Sequence, residues 1–133
     1  EKVTQMKKFI KYFLIIIGGL VVIVITALVV IWTISNNDRE IAKDFTLLSS
    51  GGKYIEATEL MHNALKKEFT LESFEKAFKN AKPYVETSFQ SVNIKNSVTI
   101  LEGTAKTADN CTSKLYFEIL DDKIISFNIS PLC

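Results

Sequence analysis

The chemistry open to this sequence starts from few side chains: Cys111 and Cys133, the single histidine His62, the pair Asp121-Asp122, and Glu102 within an apolar run. His62 as a general base would need an acid within hydrogen-bond reach. Glu59, three residues earlier, is the one local candidate, and such pairs are ordinary on helices. On a helix after Met61 and off its apolar stripe, His62 reads as a half-exposed surface residue. Asp121-Asp122 could hold a metal or share a proton, but Asp favours tight loops, and turn chemistry is the plainer account. Glu102 would be a buried carboxylate with a raised pKa if helices covered its face; the strand register below points it away from the core. There is no Ser-His-Asp order, glycine-rich phosphate loop or paired-Cys metal signature. Two Cys and one His at unrelated spacing make no metal site. No catalytic residue, metal or cofactor is therefore expected. Asn110-Cys111-Thr112 and Asn128-Ile129-Ser130 match the glycosylation sequon and read as chance matches in or beside a sheet.

The cysteines need elements that bring them together. Strands in the C-terminal third can be placed by asking which register keeps apolar residues on one face. In the last hairpin, opposing Leu120 to Lys123 would mix the faces. Slipping by one residue, so that Leu120 faces Ile124, pairs Ile119 with Ile125, Phe117 with Phe127 and Leu115 with Ile129. Carried to its open end, that ladder sets Cys111 opposite Cys133, although the register uses side-chain polarity alone. An apposed pair about 5.5 Å apart at Cα can be bridged without strain. Closing a loop of about 20 residues contributes about 3 kcal/mol on the chain-entropy model. The alternative is two free buried thiols in a reducing compartment; a disulfide instead implies an oxidising one.

The hairpin before it turns through Ala108-Asp109-Asn110, with Asn110 left-handed. It sets Ala105 against Ser113, Gly103 against Leu115 and Leu101 against Phe117. A further strand containing Val92 and Ile94 precedes Ser97, giving a four-stranded antiparallel meander. Three helices should lie on it, because short helices do not bury their faces alone. The first carries Ile41, Phe45 and Leu48 and ends at Ser49-Ser50-Gly51-Gly52. Asn36-Asn37-Asp38 before it could cap a new helix or lie inside one long one. The second begins near Lys53 with a stripe of Tyr54, Ala57, Met61, Ala64 and Leu65. The third has Thr70 as N-cap with Phe69 and Phe74 as a hydrophobic staple. Its buried face is Leu71, Phe74, Ala77, Phe78 and Ala81, and Pro83 stops it.

Ahead of all this runs an uncharged stretch, Phe13 to Ile34. At about 1.5 Å per residue such a helix crosses a hydrocarbon core of about 30 Å. The expected organisation is a basic tail (1–11), a transmembrane helix (12–35) and a small α+β domain (36–133). Lys2, Lys7, Lys8 and Lys11 precede the span, while the charges just after it nearly cancel. The N-terminus is thus expected in the cytoplasm and the domain outside it, periplasmic or extracellular. Tyr12 and Trp32 fall near the span's ends, at headgroup level. The run is too long for a signal h-region and lacks a small-x-small cleavage site, so it reads as an uncleaved signal anchor. Gly18, Gly19, Thr26 and Ala27 place small residues where another helix could approach in lipid. The formal net charge of +1 divides into this basic tail and a domain with twelve Lys or Arg against fourteen Asp or Glu. Without a basic stripe interleaved with aromatics, nucleic acid is not an expected partner.

Gly52-Lys53-Tyr54-Ile55-Glu56-Ala57, then Phe69-Thr70-Leu71-Glu72-Ser73-Phe74, then long meandering strands over roughly residues 40–130 resemble domains of the nuclear transport factor 2-like superfamily. These are cystatin-like α+β cones, and the membrane-anchored, extracytoplasmic bacterial members are the nearest in shape. The resemblance implies helices packed in the hollow of a curved sheet and, for many members, an accessory or assembly role. Single-pass subunits of type IV secretion systems share the topology but are usually larger. Enzymatic members carry Asp/His or Tyr/Asp sets in the cone. Here the inward positions read Leu101, Gly103, Leu115, Phe117 and Phe127, which argues against catalysis and against a roomy pocket. The sequence also resembles the helix-plus-sheet domains of cytochrome oxidase assembly factors and mitochondrial inner-membrane translocase subunits. The expected function is an accessory or assembly subunit docking, through its span and its domain, on other membrane protein subunits. The alternatives are a ligand-binding or catalytic domain of the same fold, or a secretion-system component.

Overall fold

The computed structural model describes residues 2–133, with side chains described for 6–29 and 36–133. Four helices precede four strands: α1 (Lys2–Ser50), α2 (Tyr54–Thr58), α3 (Asn63–Glu68), α4 (Leu71–Phe78), β1 (Tyr84–Lys95), β2 (Val98–Thr107), β3 (Thr112–Leu120) and β4 (Lys123–Ser130). The chain divides into two compact units, one ending at Ile34 and the other Ser35–Cys133.

In the first unit, Met6–Val29 is helical, 24 residues long and apolar enough to cross a membrane. Its described side chains are all exposed, as a lipid-facing surface would be. Trp32, expected at one headgroup layer, lies outside the residues whose side chains are described.

The second unit is an α+β domain on an antiparallel sheet of order β1-β2-β3-β4. Asn36-Asn37-Asp38 begins no new helix; these residues lie within α1. That helix ends where expected. Gly52 takes φ +82°, and Lys53 N–H reaches back to the Leu48 carbonyl (2.9 Å), a left-handed stop of the kind glycine allows. Its last turns bury Thr46, Ser49 and Ser50. Each hydroxyl donates to a carbonyl four residues earlier, at 2.8, 2.5 and 2.8 Å, so none is buried without a partner.

The single helix expected from Lys53 is two helices. Between α2 and α3 the backbone leaves the helix and bridges to β4 in parallel, with His62 N–H to Ile124 O at 2.8 Å and Ile124 N–H to Leu60 O at 2.9 Å. Met61 is buried there. A strand-like contact with distant residues outweighs the local helical spacing. Thr70 caps α4, its Oγ1 accepting from Ser73 N–H (3.3 Å), and the Phe69 and Phe74 rings are 5.4 Å apart. Leu71 and Ala77, expected on the buried face of α4, are exposed; Phe74 and Phe78 are buried. With only eight residues, α4 turns too narrow a stripe to the core, and it ends well before Pro83.

The middle hairpin holds the expected register: Ala105 opposite Ser113, Gly103 opposite Leu115, Leu101 opposite Phe117. Asn110 is left-handed, φ 65°. In the last hairpin, Phe117 faces Phe127 and Leu115 faces Ile129 as expected, but Leu120 faces Lys123 and Ile119 faces Ile124. Asp121 and Asp122 both have positive φ, 51° and 61°, so they form a two-residue turn of the type that matches strand twist. A bulge at Ile125 then shifts the ladder by one and restores the apolar face. Both registers are present, joined by one extra residue.

The core lies between helices and sheet and is largely aromatic. Phe45 of α1 is fully buried and touches the rings of Phe74 (5.6 Å), Phe117 (5.8 Å) and Phe127 (4.8 Å). At Gly103 a Cβ would come within 2.1 Å of the Ser88 carbonyl oxygen. Only glycine lets β1 cross so near.

Candidate functional site

Cys111 and Cys133 form a disulfide, with Cα atoms 6.2 Å apart. A chain of hydrogen bonds runs beside it. Cys133 N–H donates to the Tyr84 hydroxyl (3.1 Å), Tyr84 pairs with the Ser113 hydroxyl (2.6 Å), and Ser113 donates to the Pro131 carbonyl. Because Ser113 has one proton to give, Tyr84 must be the donor in the middle link. Pro131–Cys133 is thereby fastened against β1 and β3, and Leu132 is brought to the groove described below.

The other chemically able residues are dispersed. His62 is the N-cap of α3, not a residue on a helix face; its Nδ1 accepts from Ala64 N–H (3.2 Å), which places the neutral ring's proton on Nε2. Asp121 and Asp122 make the β3–β4 turn, and Asp122 accepts from the Asn37 amide (3.0 Å), tying that turn to α1. Glu102 is exposed on the outer face of the sheet. Gly18, Gly19, Thr26 and Ala27 lie exposed on α1; nothing lies within 4 Å of a Cβ at either glycine, and Thr26 donates to Val22 O (2.8 Å). Among the described residues no three His, Cys, Asp or Glu side chains are grouped to hold a metal ion.

Two surface features stand out. On the outer face, cross-strand neighbours Ser91, Glu102, Tyr116 and Asn128 form a row, flanked by Gln90 and Lys114 around a shallow hollow of about 540 Å³. The Tyr116 hydroxyl donates to Glu118. That bond, with desolvation and the negative charges of Glu118 and, least, Glu102, holds the phenol above its ordinary pKa. The second feature is a mainly apolar groove of about 360 Å³ beside β4, walled by Leu65 and Phe69, Ala77 and Phe78 of α4, and Leu132, with Ser126 to Ile129 of β4 along its edge.

Two electrostatic features complete the domain. Asp38 is only 4% exposed. Burial pushes its carboxyl up, the Thr99 hydroxyl donating to it acts in the opposite sense, and Asp122 adds to the rise. Asp38 shares the helical stripe of Ala42, Phe45 and Ser49, and that spacing was the signal in the sequence that could have marked it. Asp109 is exposed. Its bonds from Lys82 (2.8 Å) and from Thr107 draw its carboxyl down to about 2, and Lys82 rises in return.

No family model matches the chain, and comparisons with curated proteins and with solved structures give no match.

Proposed function

We propose that this chain is a single-pass, membrane-anchored accessory or assembly subunit, its small α+β domain docking on a larger membrane protein complex from the extracytoplasmic side. The observation that carries this reading is an exposed apolar helix of 24 residues joined to a domain whose interior is filled with rings, Phe45 against Phe74, Phe117 and Phe127. Such a domain offers surfaces, not a chamber. Lys2, Lys7, Lys8 and Lys11, gathered at the N-terminal end of that helix, support an N-terminus in the cytoplasm, and the disulfide supports an oxidising location for the domain. Helices against one face of an antiparallel meander agree with a nuclear transport factor 2-like cone. The reading is tested by native purification of the full-length chain in mild detergent with mass spectrometry: reproducible copurification with defined membrane proteins is expected, and a chain that purifies alone refutes it.

The polar hollow around Glu102, Tyr116 and Asn128 favours a second reading, a binding domain for a small polar ligand. Its test is whether Tyr116→Ala abolishes binding in a metabolite screen by ligand-observed NMR.

A further inference from the structure

The two edges of the sheet are unlike. β1 is interrupted by two register shifts and carries Glu86 and Lys95, features that discourage a further strand. β4 from Ser126 to Ser130 has no charge and no proline. Its near end is already paired on the outer side, since the Ile124 amide and carbonyl bond to Leu60 and His62. Pairing stops there because α3 begins at Asn63. Beyond the bulge, the alternation of an antiparallel ladder turns the backbone groups of Phe127 and Ile129 outward. Among the described residues nothing hydrogen-bonds them. Directly beneath them lies the apolar groove, whose lining holds no ionisable side chain.

We propose that β4 accepts an extended, uncharged segment of a partner protein as a fifth strand, its alternate apolar side chains filling the groove between β4 and α3–α4. Backbone bonds to Phe127 and Ile129 would supply affinity and the groove would select side chains, the division of labour in strand addition. A second copy of this chain fits less well. Its own Phe127 and Ile129 side chains are turned into its own core and could not enter the groove. This inference rests on the reading of the chain as a docking subunit and names the surface.

The test uses the full chain in lipid nanodiscs and a synthetic peptide alternating valine and serine, with a lysine at each end. A peptide of the same composition with its valines grouped is the control. Amide hydrogen exchange should slow at Phe127 and Ile129 on adding the alternating peptide and not the control. Ala77→Trp, which fills the groove from an exposed position on α4, should weaken binding at least about tenfold. Leu71→Trp, on the same helix outside the groove, should leave it unchanged. Absence of binding, protection elsewhere, indifference to Ala77→Trp, or a peptide-free dimer protecting the same amides would each overturn the proposal. The peptide result does not depend on whether the chain copurifies with a complex, so the two readings can fail separately.

Discussion

Removing the disulfide is the perturbation whose size follows most directly from the fold. Cys111 and Cys133 are 22 residues apart in sequence, and cross-linking a loop of that length restricts the unfolded chain by about 3 kcal/mol. The hydrogen bonds beside the bridge are not the source of that figure, because those from Cys133 N–H to Tyr84 and from Ser113 to Pro131 involve neither sulfur. A domain of about this size loses roughly 4–8 °C of Tm per kcal/mol, so the Cys111→Ala/Cys133→Ala double variant should melt roughly 10–25 °C lower. Urea unfolding of the same variant should also show a larger slope, since an unbridged unfolded chain exposes more surface. Calorimetry and urea titration of the full-length protein, oxidised and reduced, measure both. A loss below about 1 kcal/mol with an unchanged slope would refute the reasoning: the bridge would then not be restricting the unfolded chain.

Other outcomes follow from single sites. Asp38 has a folded pKa above its unfolded value, so its favourable contribution is present at acid pH and is lost as pH rises through the folded pKa. Asp38→Asn should therefore raise Tm near pH 7 and lose that advantage below about pH 4, read from melting curves across pH. Asp109 is the opposite case. Held at about 2, it contributes above the ordinary carboxylate range and loses that contribution as pH falls toward 2; Lys82→Gln should shift its NMR titration upward. Phe45→Ala leaves a cavity against three rings and should cost roughly 3–5 kcal/mol by urea unfolding. Gly103→Ala forces a methyl into the β1 backbone and should cost at least about 1–3 kcal/mol, far more than Gly18→Ala, where nothing is near.

Much of the sheet was legible because strand polarity repeats every two residues, and a wrong register exposes apolar groups at once. Phe117 opposite Phe127 and the meeting of Cys111 with Cys133 were readable on that ground. The bulge at Ile125 was not, because polarity says that a ladder must shift and not where. The break between α2 and α3 was hidden for another reason. Met61 keeps helical spacing with Ala57 and Leu65, and only its bridge to Ile124, 63 residues away by number, pulls it out of the helix. The groove beside β4 was invisible in sequence because it belongs to no single element: α3, α4, β4 and Leu132 each supply a wall, and the strand pattern does not mark which edge stays free.

The segment Pro131–Cys133 is clasped twice, once through sulfur and once through the Tyr84–Ser113 relay. A clasp of two unlike latches does not open on one signal. A reductant undoes the first and leaves the second closed, so Leu132 stays as one wall of its groove; only when both latches give way together does that wall fall outward.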